Sequence, residues 1–141
     1  MKKQLIKLSN INKSYKNGDQ ELRVLKDIHL EVEEGEFVAI MGPSGSGKST
    51  LMNIIGLLDR SSSGEYILED TEVSHLSEKK LAKVRNHQIG FVFQNFNLIP
   101  RTSALENAQL PLFYRGVPLR EQRAMAREAL SRVGLHGREG H

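Results

Sequence analysis

Residues 42 to 50, Gly-Pro-Ser-Gly-Ser-Gly-Lys-Ser-Thr, hold three glycines, a lysine and four hydroxyl residues, with Gly42, Gly47, Lys48 and Ser49 at the fixed positions of G-x-x-x-x-G-K-[ST]. That set suits a polyphosphate, which carries several negative charges and must be held without a large desolvation loss. Gly42, Gly45 and Gly47 let the backbone take conformations closed to other residues and approach phosphate closely, with Pro43 and Ser44 filling the loop between them. Successive amides from Ser46 to Thr50 are expected to point inward as an anion nest at the positive end of a helix. Lys48 adds a full charge aimed at the outer phosphates, and Ser49 offers a hydroxyl to a Mg²⁺ that bridges them.

The flanking residues must hold this loop. Phe37–Met41 is an unbroken apolar run and predicts a strand buried on both faces. Leu51, Ile54, Ile55 and Leu58 recur at i, i+3, i+4 and i+7 and predict one face of a helix. Strand, loop and helix in that order separate a phosphate site from a glycine-rich surface turn.

Upstream, Leu5–Ile11 reads as a first strand, and Asn17-Gly18 is a hairpin turn. Ile28 to Glu33 alternates, with Ile28, Leu30 and Val32 inward, as in a half-exposed antiparallel strand. Downstream, Glu65–Leu68 predicts a short strand that Glu69-Asp70 turns. Ser77 is placed to cap a helix running to about Asn86, with Leu81 and Val84 on its inner face. Ile89–Phe93 is a second continuous apolar run, predicted as another buried strand, and it ends at Gln94. Ser103 with Glu106 forms a capping box for a short helix that Pro111 is expected to close. Pro118 starts a further helix, whose stripe is Met125, Ala126, Ala129, Leu130 and Val133 and whose cap is Gly134. His136–His141 shows no periodicity and is expected to be loose.

Composition narrows the classes. The 141 residues are 38% apolar, enough for a core. There is no cysteine, which fits a reducing compartment and excludes thiolate metal sites. No apolar run approaches the ~20 residues of a spanning helix, and no apolar signal segment follows the first residues. The reading is a cytoplasmic protein, or one held on a membrane only through a partner. The 20 basic and 17 acidic residues are interspersed, which argues against nucleic acid as a partner. The histidines at 29, 75, 87, 136 and 141 are scattered and read as surface residues.

Taken together, the chain resembles the nucleotide-binding subunit of an ABC transporter, in the branch similar to macrolide-export and lipoprotein-release ATPases. The carrying residues are Tyr15, Gly42–Thr50, Leu57–Gly64, Ile89–Leu98 and Ala104–Asn107. The resemblance implies an α/β P-loop NTPase fold with ATP and Mg²⁺ as cofactors. Tyr15 would be the aromatic that stacks on adenine, a contact worth ~1–3 kcal/mol. Taken alone, it reads as a half-buried packing residue, and the resemblance reverses that preference. Gln94 would contact Mg²⁺ and the attacking water, giving the metal two protein contacts, Ser49 and Gln94. A membrane permease would dock near residues 94–115, around Phe96, Leu98, Ile99 and Leu105, and the full-length domain would form a homodimer.

Family members continue beyond this length, so the chain is expected to be the N-terminal portion of one nucleotide-binding domain. It would hold an antiparallel β subdomain, an incomplete core sheet and the start of the helical subdomain. Residues 1–93 would form the β subdomain and phosphate-loop core, and residues 94–141 the glutamine loop and first helices. The Leu-Ser-Gly-Gly-Gln signature, the acidic strand and the switch histidine do not occur. Hydrolysis needs a carboxylate to position water. The alternative to a transport ATPase subunit is therefore a non-catalytic nucleotide-binding module or remnant. The buried strands would also lack neighbours, and unpaired apolar edges invite aggregation.

Overall fold

The computed structural model describes residues 2–141. They form two compact units, one reaching to Ala82 and the other Lys83–His141.

The first unit is built on a long hairpin, β1 (Gln4–Asn17) and β2 (Gln20–Glu33). Its turn is at Asn17-Gly18, where Gly18 has a φ of 62° and Asn17 pairs with Gln20. Both strands run well past the short segments that alternation marks, because the two-residue turn brings Lys16 and Glu21 into register as well. β3 (Ser63–Leu68) pairs antiparallel with the other edge of β1, and β4 (Thr71–Glu72) follows it through Glu69-Asp70, both at positive φ. The sheet order is β2-β1-β3-β4. The expected inward residues Ile28, Leu30 and Val32 are half-buried, and their neighbours His29, Glu31 and Glu33 are exposed. α1 (Lys48–Ile55) lies against β2, burying Leu51 and Ile54. Leu8, Ile11, Leu25, Tyr66 and Val73 complete the centre of the core.

α1 is shorter than its periodicity implies. It ends at Ile55, Gly56 bonds back to Met52, and Leu57 turns at a φ of 57°. That turn buries Leu57 and leaves Leu58 exposed, the reverse of a continued helix. The Tyr66 hydroxyl donates to the carbonyl of Ile55 at 2.7 Å and satisfies the helix end from β3.

Two expectations fail together. Neither Phe37–Met41 nor Ile89–Phe93 is a strand, and neither is buried throughout. Phe37 is 100% exposed and Val92 96%. A strand exists only through its partner's backbone, and among the described residues no segment pairs with either run. Val38 and Ile40 instead line an open groove of about 440 Å³ with Ile6, Leu30, Val32 and Met52.

α2 (Glu78–Gln88) begins after Ser77, whose Oγ accepts from the amide of Lys80 at 3.4 Å, and it buries Leu81. The second unit packs α3 (Ala104–Arg115) on α4 (Leu119–Arg132). The capping box forms as expected: Ser103 Oγ accepts from the amide of Glu106 at 3.2 Å, and Glu106 accepts from the amide of Ser103 at 2.8 Å. Pro111 does not close the helix. It sits inside α3, which runs on to a left-handed Gly116. The missing amide costs one hydrogen bond. The Pro111 carbonyl, however, accepts from Asn86 Nδ2 at 3.0 Å, and Arg115 holds Asn86 through Nε at 3.1 Å. Those contacts support the last turn. In α4, Ala126 and Leu130 are buried with Gln122, while Met125, Ala129 and Val133 are exposed. Gln122 is accommodated because its Nε2 donates to the carbonyl of Val117 at 2.6 Å. The final residues carry no regular element, but the carbonyls of Glu139 and His141 accept from the amides of Leu105 and Ala104 at 3.0 and 2.7 Å. They are therefore tied to the start of α3.

Candidate functional site

The loop from Gly42 to Gly47 leads directly into α1. Gly47 is the residue before its first turn, with a φ of 97°, and no side chain caps the helix. First-turn amides have no intrahelical acceptor, so those of Lys48, Ser49 and Thr50 stand at the positive end of α1 facing the loop. Gly47 must be glycine for two reasons. Its φ lies where other residues are strained, and a Cβ there would meet Leu25 Cδ2 at 2.9 Å and Val24 Cγ1 at 3.2 Å. At Gly42 the constraint is space alone, since a Cβ would meet Ser46 Oγ at 2.7 Å. The amide of Ser46 donates to the carbonyl of Pro43 at 3.2 Å, so it stabilises the loop's own turn rather than joining the first-turn donors.

Lys48 curls back over the loop. Its Nζ donates to the carbonyl of Gly42, to that of Pro43 at 2.8 Å and to Ser46 Oγ at 3.5 Å. The ammonium is thus held at the loop's mouth by groups it can exchange for stronger anionic acceptors. Ser44, Ser46 and Ser49 are exposed, and Thr50 is half-buried. Uncapped amides, an ammonium and an exposed Ser49 hydroxyl form a donor set that fits a polyphosphate with its Mg²⁺.

Tyr15 lies near the turn end of β1, opposite Leu22, and is 43% exposed. The Lys13↔Leu25 register, with Gly47 against Leu25 and Val24, sets this part of the hairpin beside the loop. The Tyr15 hydroxyl donates to Asp59 Oδ2 at 3.1 Å, and Lys13 Nζ stands 5.0 Å from the ring centroid. Lys13 also donates to Asp59 Oδ1 at 3.1 Å and to the carbonyl of Arg60 at 2.6 Å. Burial pushes the Asp59 carboxyl up, but hydrogen bonds from Lys13 and the Arg60 amide, the Lys13 charge and the Tyr15 hydroxyl outweigh it, and its pKa is lowered. Sequence reasoning assigned no role to Lys13 or Asp59. They are 46 positions apart, a separation no local pattern reveals. The available signal was that Lys13 and Tyr15 share a strand face at i and i+2.

Gln94 belongs to the second unit, where it is exposed in an irregular stretch. Phe96 in the same stretch is 93% exposed, and Leu98 and Ile99 are exposed as well. The Ile99 amide is held by Asn107 Oδ1 at 2.9 Å, and Asn107 Nδ2 donates to the carbonyls of Thr102 and Ser103. One asparagine of α3 thereby ties down the end of this stretch. All five histidines are exposed. Among the described residues no helix is long and apolar enough to cross a membrane.

A family model described as ABC transporter matches residues 25–140. The chain is 54% identical over 134 residues to the uncharacterized ABC transporter ATP-binding protein YvrO of Bacillus subtilis (strain 168), covering 95% of this chain and 58% of that protein. It is 50% identical over 137 residues to the macrolide export ATP-binding/permease protein MacB 1/2 of Paracoccus denitrificans, covering 97% of this chain and 20% of that protein. A solved structure described as a dimeric post-hydrolysis state of the ATP-binding cassette MJ0796 bound to ADP and Pi matches with a TM-score of 0.89 at 45% identity. That match covers 96% of this chain and 60% of the solved one. MJ0796 is a protein of Methanocaldococcus jannaschii. The architecture is thus the N-terminal part of an ATP-binding cassette, with its antiparallel β unit formed and its core sheet incomplete, and the chain belongs to the ABC transporter family.

Proposed function

We propose that this chain is the nucleotide-binding portion of a transport ATPase subunit, with residues 42–50 holding the phosphates of ATP and Tyr15 stacking on the base. The observation that carries the reading is the uncapped start of α1 beneath Lys48, an ammonium folded onto its own loop carbonyls. Ser49 and Gln94 are assigned to Mg²⁺, which neutralises phosphate charge when bound. In the complete protein Gln94 also contacts the attacking water. Residues 94–115, with exposed Phe96 and Leu98, are the proposed docking face for a membrane permease on the cytoplasmic side. The whole protein couples ATP binding and hydrolysis to export or lipoprotein release and works as a homodimer. Support comes from relatives named as export ATP-binding/permease proteins, MacB and PvdT, and from a dimeric MJ0796 structure.

A second reading applies to the 141 residues taken alone: a module that binds nucleotide without turning it over. It is favoured by Phe37–Met41, which leads into the loop but pairs with no strand among the described residues. Calorimetry of Mg-ATP binding on the chain and on Lys48→Ala tests both. The expected result is binding about tenfold or more weaker in Lys48→Ala, the scale of a lost charge-assisted contact. Equal affinity would overturn the phosphate-site assignment. Turnover that Lys48→Ala abolishes would remove the non-catalytic reading.

A further inference from the structure

We propose that Asp59, with Lys13, locks the Tyr15 ring in place, making Asp59 a positioning residue for the nucleotide base. The proposal rests on the reading of Tyr15 as the base platform. A tyrosine near a hairpin turn, 43% exposed, is free to change rotamer unless something holds it. Here both ends of the side chain are held. The hydroxyl is bonded to Asp59 Oδ2, and the ammonium of Lys13 stands over the ring. A cation over one face of the ring is attracted to its negative quadrupole and takes that side. The opposite face of this part-exposed ring is the one assigned to the flat base.

Asp59 is itself fixed on three sides. Its Oδ1 accepts from Lys13 Nζ and from the Arg60 amide at 2.7 Å, so both carboxylate oxygens are engaged. Its own amide and that of Leu58 donate to the carbonyl of Asn53, inside α1, at 3.2 and 2.8 Å. On the far side, Arg60 is anchored to the carbonyls of Ser74 and Leu76 and to Glu78 Oε1 at 2.9 Å. Since α1 starts in the phosphate loop at Lys48, the platform and the loop are joined through one short helix. Asp59 therefore sets where the base platform stands relative to the phosphates. The depressed pKa of its carboxyl agrees with a charge kept for this purpose.

The test compares Mg-ATP with Mg-tripolyphosphate, which keeps the phosphates and lacks the base, on the full 141-residue chain. Asp59→Ala is expected to weaken ATP about fivefold, in line with a lost positioning hydrogen bond, and to leave tripolyphosphate unchanged. Tyr15→Phe keeps the ring and removes the hydroxyl, and should show the same selective loss. Adding Tyr15→Phe to Asp59→Ala should add little, because Asp59→Ala has already removed the bond between the two side chains. Asp59→Asn keeps the side-chain shape and serves if Asp59→Ala melts early by circular dichroism. It is expected to weaken ATP alone as well.

Equal weakening of both ligands would overturn the proposal, since Asp59 would then act on the loop as a whole. Unchanged ATP affinity in Asp59→Ala and Asp59→Asn, where Tyr15→Ala loses about tenfold, would overturn it while sparing the platform. Unchanged ATP affinity in Tyr15→Ala, or binding of neither ligand by the unsubstituted chain, overturns the underlying reading and the proposal with it.

Discussion

Replacing Gly47 by alanine tests how the phosphate loop is joined to the sheet. Two costs arise from the geometry. Gly47 has a φ of 97°, and holding an alanine in left-handed backbone costs about 1–2 kcal/mol. Its Cβ would also stand 2.9 Å from Leu25 Cδ2, 3.2 Å from Val24 Cγ1 and 3.3 Å from the Val24 carbonyl. The leucine methyl can swing aside, but the β2 backbone cannot without disturbing its pairing with β1. Overpacking of this kind adds about 1 kcal/mol or more. The total is about 3 kcal/mol. Gly45 supplies the control, because its φ is 78° and nothing lies within 4 Å of its Cβ direction. Gly45→Ala should therefore cost about 1 kcal/mol, the conformational part alone. Urea unfolding followed by circular dichroism measures both, and calorimetry follows Mg-ATP. Gly47→Ala should be less stable than Gly45→Ala by about 2 kcal/mol, the packing term and the larger φ strain combined. Equal stabilities would refute the packing of Gly47 on β2, and with it the placement of the loop beside the hairpin.

Other consequences follow from single contacts. Tyr66→Phe removes the hydroxyl bonded to the Ile55 carbonyl in a residue only 3% exposed. It should cost about 1–2 kcal/mol in urea unfolding, because a sheltered acceptor is left unpaired. Ser103→Ala removes the hydroxyl that accepts from the Glu106 amide, leaving the backbone amide of residue 103 to donate to Glu106, and should cost about 1 kcal/mol. Hydrogen exchange should then quicken at the Glu106 amide. Asp59 has a pKa depressed below 3.8 in the folded chain, so its stabilising effect is present above 3.8 and lost as pH falls through the folded value. Acid titration of stability should consequently be shallower in Asp59→Asn than in the unsubstituted chain.

The structure was legible from sequence wherever a feature depends on neighbours along the chain. The Asn17-Gly18 turn, the Glu69-Asp70 turn, the Ser103–Glu106 box and the glycine spacing of residues 42–47 each need only a few consecutive residues. The chemistry sits in the turn residue or cap itself, so the pattern and the structure coincide. Reading failed where the outcome depends on what lies opposite. Phe37–Met41 and Ile89–Phe93 have the composition of buried strands, but burial and pairing are supplied by another segment. Leu58 fits the helical period of α1, yet the turn at Leu57 replaces it in the core.

By itself the sequence determined the phosphate-loop spacing, the hairpin and the family, because each is written in short-range order. The tertiary structure alone decided that α3 continues through Pro111, since Asn86 comes from α2 to bond the Pro111 carbonyl and to be held by Arg115 at the end of α3. It alone brought Lys13, Tyr15 and Asp59 together. The two sides of that cluster are separated by more than forty residues and meet only because β3 returns to pair with β1 after α1 has packed against β2. Long-range contacts of this kind are set by which surfaces the fold must bury, and no window along the chain contains that information.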